Sequence, residues 1–144
     1  MRTAALCFAG LLAAWVIGQT SMAADHAHAE HFMKCAKACA ECQLECDSCF
    51  THCVSLLGEG KKEHAATAQL CADCSACCQL GSSLSARQSP LAGPACEACA
   101  KACDICAAAC EKLPSDKHMA QCAKSCRDCA KACREMLKHV DSAK

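Results

Sequence analysis

Between residues 35 and 53 the chain reads CAKACAECQLECDSCFTHC, with its six cysteines spaced by four, three, four, three and four residues. Residues three and four apart share one face of an α-helix, so this spacing predicts a stripe of thiols along one side of a helix. The pattern returns three times. Cys71, Cys74, Cys77 and Cys78 form a second set, Cys96, Cys99, Cys103, Cys106 and Cys110 a third, and Cys122, Cys126, Cys129 and Cys133 a fourth. Such a stripe stands where the a and d residues of a helical bundle normally stand.

The residues between the cysteines support helices. AKACAEC, ACEACAKACDICAAACEK and AKSCRDCAKACREMLK are rich in Ala, Lys, Glu and Arg, and no proline interrupts a stripe. Turn residues fall between the sets. Gly58-Glu59-Gly60 offers a glycine for the left-handed C-terminal position of the first helix. Ser89-Pro90 and Gly93-Pro94 each read as a helix start, and Pro114-Ser115 as a stop followed by an N-cap. The expected fold is all-α: an antiparallel up-down-up-down four-helix bundle with a Cys-lined core. It occupies residues 31–140, with helices at about 31–57, 61–87, 92–112 and 116–140.

The N-terminus reads differently. Arg2 is followed by an apolar run, AALCFAGLLAAWVIG, that suits the core of a signal peptide and is short for a membrane span. Ser21 and Ala23 are the small residues of a cleavage site, so residues 1–23 are expected to be a removable leader carrying Cys7 with it. There is no twin arginine, which points to the general export route. Residues 24–30, with His26 and His28, are expected to be a flexible N-terminal segment. The mature protein is then expected outside the cytoplasm, in the periplasm, with no membrane association after cleavage.

Composition narrows the chemistry. The 15 basic and 15 acidic residues balance, which argues against nucleic-acid binding. Three Phe, one Trp and no Tyr leave few aromatics for a core. An isolated Cys is often a small buried apolar residue, but the 19 that follow Cys7 do not fit that account. A disulfide scaffold is the usual reading of an exported cysteine-rich chain. The odd number and the helical period oppose it, because thiols one turn apart on a helix run parallel and miss disulfide geometry. Soft thiolates select Cu(I), Zn(II) or iron–sulfur clusters. Structural zinc favours discrete groups of four, and iron–sulfur ligands generally come from loops. Cu(I) accepts two or three thiolates and tolerates a shared sulfur, so a continuous thiol column suits it. At one copper per one to two thiols, the column would hold on the order of ten ions.

The run CADCSACCQL…ARQSPL…CEACAKACDICAAACEKL, followed by HMAQCAKSCRDCAKACREM, resembles the bacterial copper storage proteins. The resemblance covers about Cys35 to Met136. It implies a four-helix bundle that holds many Cu(I) ions on reduced thiols, and a homo-oligomer, typically a tetramer. Both exported and cytosolic members occur in that family, and the leader groups this chain with the exported ones.

The candidate metal ligands are therefore Cys35, Cys39, Cys42, Cys46, Cys49, Cys53, Cys71, Cys74, Cys77, Cys78, Cys96, Cys99, Cys103, Cys106, Cys110, Cys122, Cys126, Cys129 and Cys133. Extending the stripes puts His64, His118 and Met119 at one end of the bundle, beside His52. These four are candidate ligands of a polar mouth, since imidazole and thioether bind Cu(I) more weakly than thiolate. At the other end Phe32, Leu91, Met136, Leu137 and Val140, with His31 close by, are expected to form an apolar plug. Charges such as Lys34, Lys37, Glu41 and Glu45 read as a solvated outer face. No catalytic constellation stands out, so the chain reads as a non-enzyme that binds and stores Cu(I), for supply to unidentified copper-recipient proteins or for detoxification. The alternatives are an exported disulfide-bonded structural or redox protein and a zinc-sequestering protein.

Overall fold

The computed structural model describes the backbone of residues 10–140, with side chains from residue 29 onward. Cys7 and the start of the expected leader lie outside the described residues. Four helices follow one another: α1 Gly10–Gly58, α2 Ala65–Ala86, α3 Ala92–Cys110 and α4 Lys117–Val140. A single 3-10 turn, Lys62–His64, leads into α2. α1 packs on α2 and α4, and α3 packs on the same two, so sequential helices are antiparallel neighbours around a square. Among the described residues no helix is long and apolar enough to cross a membrane.

α1 begins well before the first thiol stripe. Residues 24–30, expected to be flexible, lie within continuous helix. Between Gly18 and Gly58 there is neither glycine nor proline, and the Ala, Glu and Met residues of that stretch favour helix.

The helix ends follow local chemistry. Gly60 adopts φ 87°, and Lys61 and Gly60 donate their N–H groups to Leu56 and Leu57, closing α1 with a Schellman motif. α2 closes in the same way, with Ser89 donating to Leu84 and Gln88 to Ser85, but there the left-handed residue is Gln88 at φ 50°. At α3 neither proline takes the first helical position. Leu91 is the N-cap without a side-chain bond, while Ser89 Oγ accepts from Leu91 N at 3.2 Å and so shapes the turn before it. At α4 the cap is Asp116, not Ser115. Its Oδ1 accepts from His118 N at 2.9 Å and Met119 N at 3.4 Å.

The core is unusual in substance. Apart from Phe32, Met119 and Met136, its buried apolar residues are Cys and Ala. A buried thiol supplies less than the roughly 1.5–3 kcal/mol of a buried Leu or Ile, so metal binding is placed to add to the stability of this bundle. Polar contacts between helices assist. Ser75 Oγ donates to Asp47 at 2.5 Å across α1 and α2. Arg127 reaches Asp104 at 3.0 Å and Glu111 at 2.8 Å, and Arg134 also pairs with Asp104, across α3 and its end to α4. Lys34, Lys37, Glu41 and Glu45 are not among these pairs; the α3–α4 side carries most of them. Exposed pairs of this kind contribute about 0–1 kcal/mol each.

Candidate metal centre

Helical periodicity turns the stripes inward as expected. Of the 19 described cysteines all are free thiols, and all but Cys77 are buried. Cys77 is half-buried, one step off the α2 stripe. That stripe runs His64, Thr67, Cys71, Cys74, Cys78, Gly81, Ser85, and every member is buried. Its spacing of three and four leaves no inward position for residue 77.

The sulfurs form a continuous column. From one end, Cys35 lies 3.5 Å from Cys96, Cys39 lies 3.6 Å from Cys133 and 3.8 Å from Cys99, and Cys78 lies 3.6 Å from Cys99. In the middle, Cys42 lies 3.7 Å from Cys126 and Cys74 lies 3.6 Å from Cys103. Further on, Cys46 lies 3.9 Å from Cys122 and Cys71 lies 3.7 Å from Cys106. With metal–sulfur bonds of about 2.3 Å, two sulfurs on one tetrahedral or trigonal metal stand about 3.8–4.0 Å apart. The column already holds that spacing, so a soft ion can enter with side-chain adjustments alone.

Several sets of four sulfurs lie within 4.8 Å of one another, among them Cys39/Cys99/Cys129/Cys133, Cys42/Cys74/Cys78/Cys103, Cys42/Cys46/Cys74/Cys126, Cys46/Cys106/Cys122/Cys126 and Cys49/Cys71/Cys110/Cys122. They share members: Cys42, Cys46, Cys74, Cys122 and Cys126 each belong to two. Separate zinc tetrahedra would need separate ligands. Shared sulfurs suit Cu(I), which takes fewer thiolates and accepts bridging ones.

Protonation follows from the same crowding. Burial pushes the thiols of Cys53 and Cys77 up. Within the network a hydrogen bond with Cys103 pulls Cys42 below the ordinary thiol range and pushes Cys78 and Cys126 above it. One thiolate therefore makes the next harder to form, and a monovalent cation relieves the repulsion while protons leave.

At one end the expected mouth residues come together in part. Met119 is fully buried, with its Sδ 3.6 Å from Cys49 Sγ, directly over the column. His64 is 6% exposed, and its Nδ1 is the one buried side-chain nitrogen or oxygen among the described residues with no hydrogen-bond partner. His52 and His118 stack at 4.2 Å between ring centroids, near the surface. His52 Nε2 lies 2.7 Å from Asp116 Oδ2. Burial opposes ionisation of Asp116, but the hydrogen bonds of His52 and of the Met119 and His118 N–H groups outweigh it and hold the carboxyl below its usual range. Sequence reasoning missed Asp116; its place two residues before His118 was the available sign. It also missed Gly81 and Ser85, which counting on from Cys78 would have found.

The plug at the other end needs one correction. Phe32 and Met136 are buried, and Leu137 and Val140 pack against the core. Leu91 is 62% exposed, because the chain turns there and Ala92 takes the interior position. His31 lies outside the plug and stacks on His139 at 3.5 Å between centroids.

A helical bundle whose interior is a column of reduced thiols at metal-bridging distances defines a multi-site thiolate store for Cu(I). The family model of the copper storage proteins matches residues 19–138, and the chain belongs to that family. Three solved structures share the fold. One is a cytosolic copper storage protein from Streptomyces lividans loaded with five coppers, with a TM-score of 0.72 at 24% identity, covering 78% of this chain and 97% of that one. The second is the Cu(I)-bound copper storage protein BsCsp3, with a TM-score of 0.68 at 31% identity, covering 74% and 98%. The third is the Nmul_A1745 protein from Nitrosospira multiformis, with a TM-score of 0.66 at 29% identity, covering 76% and 96%. No curated protein sequence matches the chain.

These findings bear on location. The Streptomyces relative is cytosolic, and the family match begins inside the stretch expected to be cleaved. The exported, periplasmic placement read from the N-terminal segment is corrected on that basis. From Gly10 onward, the stretch read as a leader lies within α1.

Proposed function

We propose that the buried thiols from Cys35 to Cys133 are the Cu(I) ligands, and that Cys77 is peripheral to them. The carrying observation is the overlap of the four-sulfur groups at Cys42, Cys46, Cys74, Cys122 and Cys126, which favours bridged copper over isolated tetrahedra. Copper enters at the Met119 end, where Cys49, Met119 and His64 offer soft and borderline donors in sequence, and His52, His118 and Asp116 form the rim. The unpartnered Nδ1 of His64 supports this role, since a buried nitrogen with no hydrogen bond is costly unless another partner takes it. The protein acts as a store and not as an enzyme, and works as a homo-oligomer, a tetramer on the family pattern. It releases copper to recipients or keeps it from harm.

The test is an anaerobic titration of the reduced chain with Cu(I) against a competing chelator, with metal analysis. Tight uptake on the order of ten ions per chain, into a protein already helical when empty, is the expected result. Saturation near four, equalled by zinc, would indicate discrete tetrahedra and refute the shared-sulfur reading.

A further inference from the structure

The α2 stripe differs from the other three. Its positions after Cys78 are Gly81 and Ser85, which carry no sulfur yet face the column. Ser85 is fully buried, with its Oγ 3.4 Å from Cys96 Sγ and 3.8 Å from Cys35 Sγ. A Cβ built on Gly81 would stand 3.3 Å from Cys39 Sγ. Beyond Cys78, then, sulfur comes from three helices only. The last sulfurs on that side are Cys35 of α1, Cys96 of α3 and Cys133 of α4. Cys35 lies 3.5 Å from Cys96 and 3.8 Å from Cys133. Phe32, Ala92 and Met136, all buried, close the bundle past them.

A serine hydroxyl is a hard, neutral oxygen and a poor ligand for Cu(I), which prefers thiolate. Near two sulfurs it can instead donate its O–H to a thiolate, and such charge-assisted bonds are about twice as strong as neutral ones. Three thiolates around one monovalent ion keep an excess of negative charge, and the apolar plug beside them cannot solvate it. A donor is needed there, and Ser85 supplies it.

We propose that Cys35, Cys96 and Cys133 form a three-thiolate Cu(I) site at the blind end of the column, joined to the rest through Cys133, which also belongs to the Cys39/Cys99/Cys129/Cys133 group. Ser85 is its positioning residue, stabilising the thiolates without binding the metal. The proposal rests on the use of the column as Cu(I) ligand set argued above. It divides the store into a central part with sulfur from four helices and a blind-end site with sulfur from three and one hydroxyl donor.

The experiment is anaerobic Cu(I) titration of the full reduced chain against a competing chelator, for wild type, Ser85→Ala and Ser85→Cys. Copper–thiolate charge-transfer absorption and helicity of the empty protein are followed in parallel. Ser85→Ala is expected to keep the helicity of the empty protein and to weaken one binding step by about ten- to a hundredfold, leaving the others unchanged. Ser85→Cys, which adds a sulfur from α2, is expected to raise copper capacity. If Ser85→Ala matches wild type throughout and Ser85→Cys adds no copper, the blind-end site is overturned. Uniform weakening of every step with loss of helicity would mark a structural role and also overturn it. Failure of wild type itself to take up many coppers would count against the proposed function, a result visible before any variant is compared.

Discussion

Replacing Gly81 with Ala should separate the stability of the empty bundle from its hold on copper. Glycine in mid-helix costs about 1 kcal/mol relative to alanine, so the change favours the helix by that amount. The added Cβ meets Cys39 Sγ at 3.3 Å, Cys99 Cβ at 3.5 Å and Cys99 Sγ at 3.6 Å. The last two are ordinary contacts, and the first asks the Cys39 sulfur to retreat slightly. In the empty protein that sulfur is held by long contacts to Cys133, Cys129 and Cys99 at 3.6, 3.7 and 3.8 Å, which have room to adjust. Helix gain and packing cost then nearly cancel, and the melting temperature should stay within about 4 °C of wild type. Copper changes the balance. A sulfur tied by a metal bond of about 2.3 Å cannot retreat freely. The low end of the overpacking range, about 1–3 kcal/mol, then falls on the loaded state and weakens copper at Cys39/Cys99/Cys129/Cys133 by about tenfold. Thermal melts of the empty protein and chelator competition of the loaded one measure the two terms. A melting temperature lowered by about 10 °C or more, with an unchanged copper isotherm, would refute the reasoning.

Two further predictions concern the mouth. Asp116→Ala removes the α4 cap and the His52 contact, and should cost about 1–2 kcal/mol at neutral pH, read as a drop of several degrees in melting temperature. Because the native state holds the Asp116 carboxyl below its usual range, its contribution is present above the unfolded value of about 3.9 and is lost as pH falls through the native one. The stability gap between wild type and variant should therefore close in acid, and a gap constant down to about pH 2 would contradict the assignment. His64→Leu removes a buried nitrogen without a partner, so the empty bundle should melt no lower than wild type while copper uptake, followed by stopped-flow absorption, slows. Uptake at the wild-type rate would remove His64 from the path.

Much of this molecule is legible in one dimension because a helix converts spacing into direction. The steps of three and four from Cys35 to Cys53 and from Cys122 to Cys133 name residues that are all buried. Where the step breaks, reading failed. Cys77 and Cys78 are adjacent in sequence, and only the register set by His64, Thr67, Cys71 and Cys74 decides which of them faces inward. Extending the third stripe backwards offered Leu91 to the plug, but a residue in a turn is aimed by the turn.

By itself, then, the sequence determined that there are four thiol stripes, that they lie on helices, and that a soft metal is their natural ligand. These are properties of single helices and of sulfur, and they need no partner strand or helix to be stated. The tertiary structure alone decided which sulfurs meet. Cys35 and Cys133 are separated by 98 positions and lie 3.8 Å apart; that distance depends on how far each helix slides along its neighbours. The same packing sets the overlap of the four-sulfur groups, brings Asp116 onto His52, and leaves α2 without sulfur opposite Cys39 and Cys96. Helix register along a bundle is fixed by contacts summed over every layer, so no short stretch of sequence carries it.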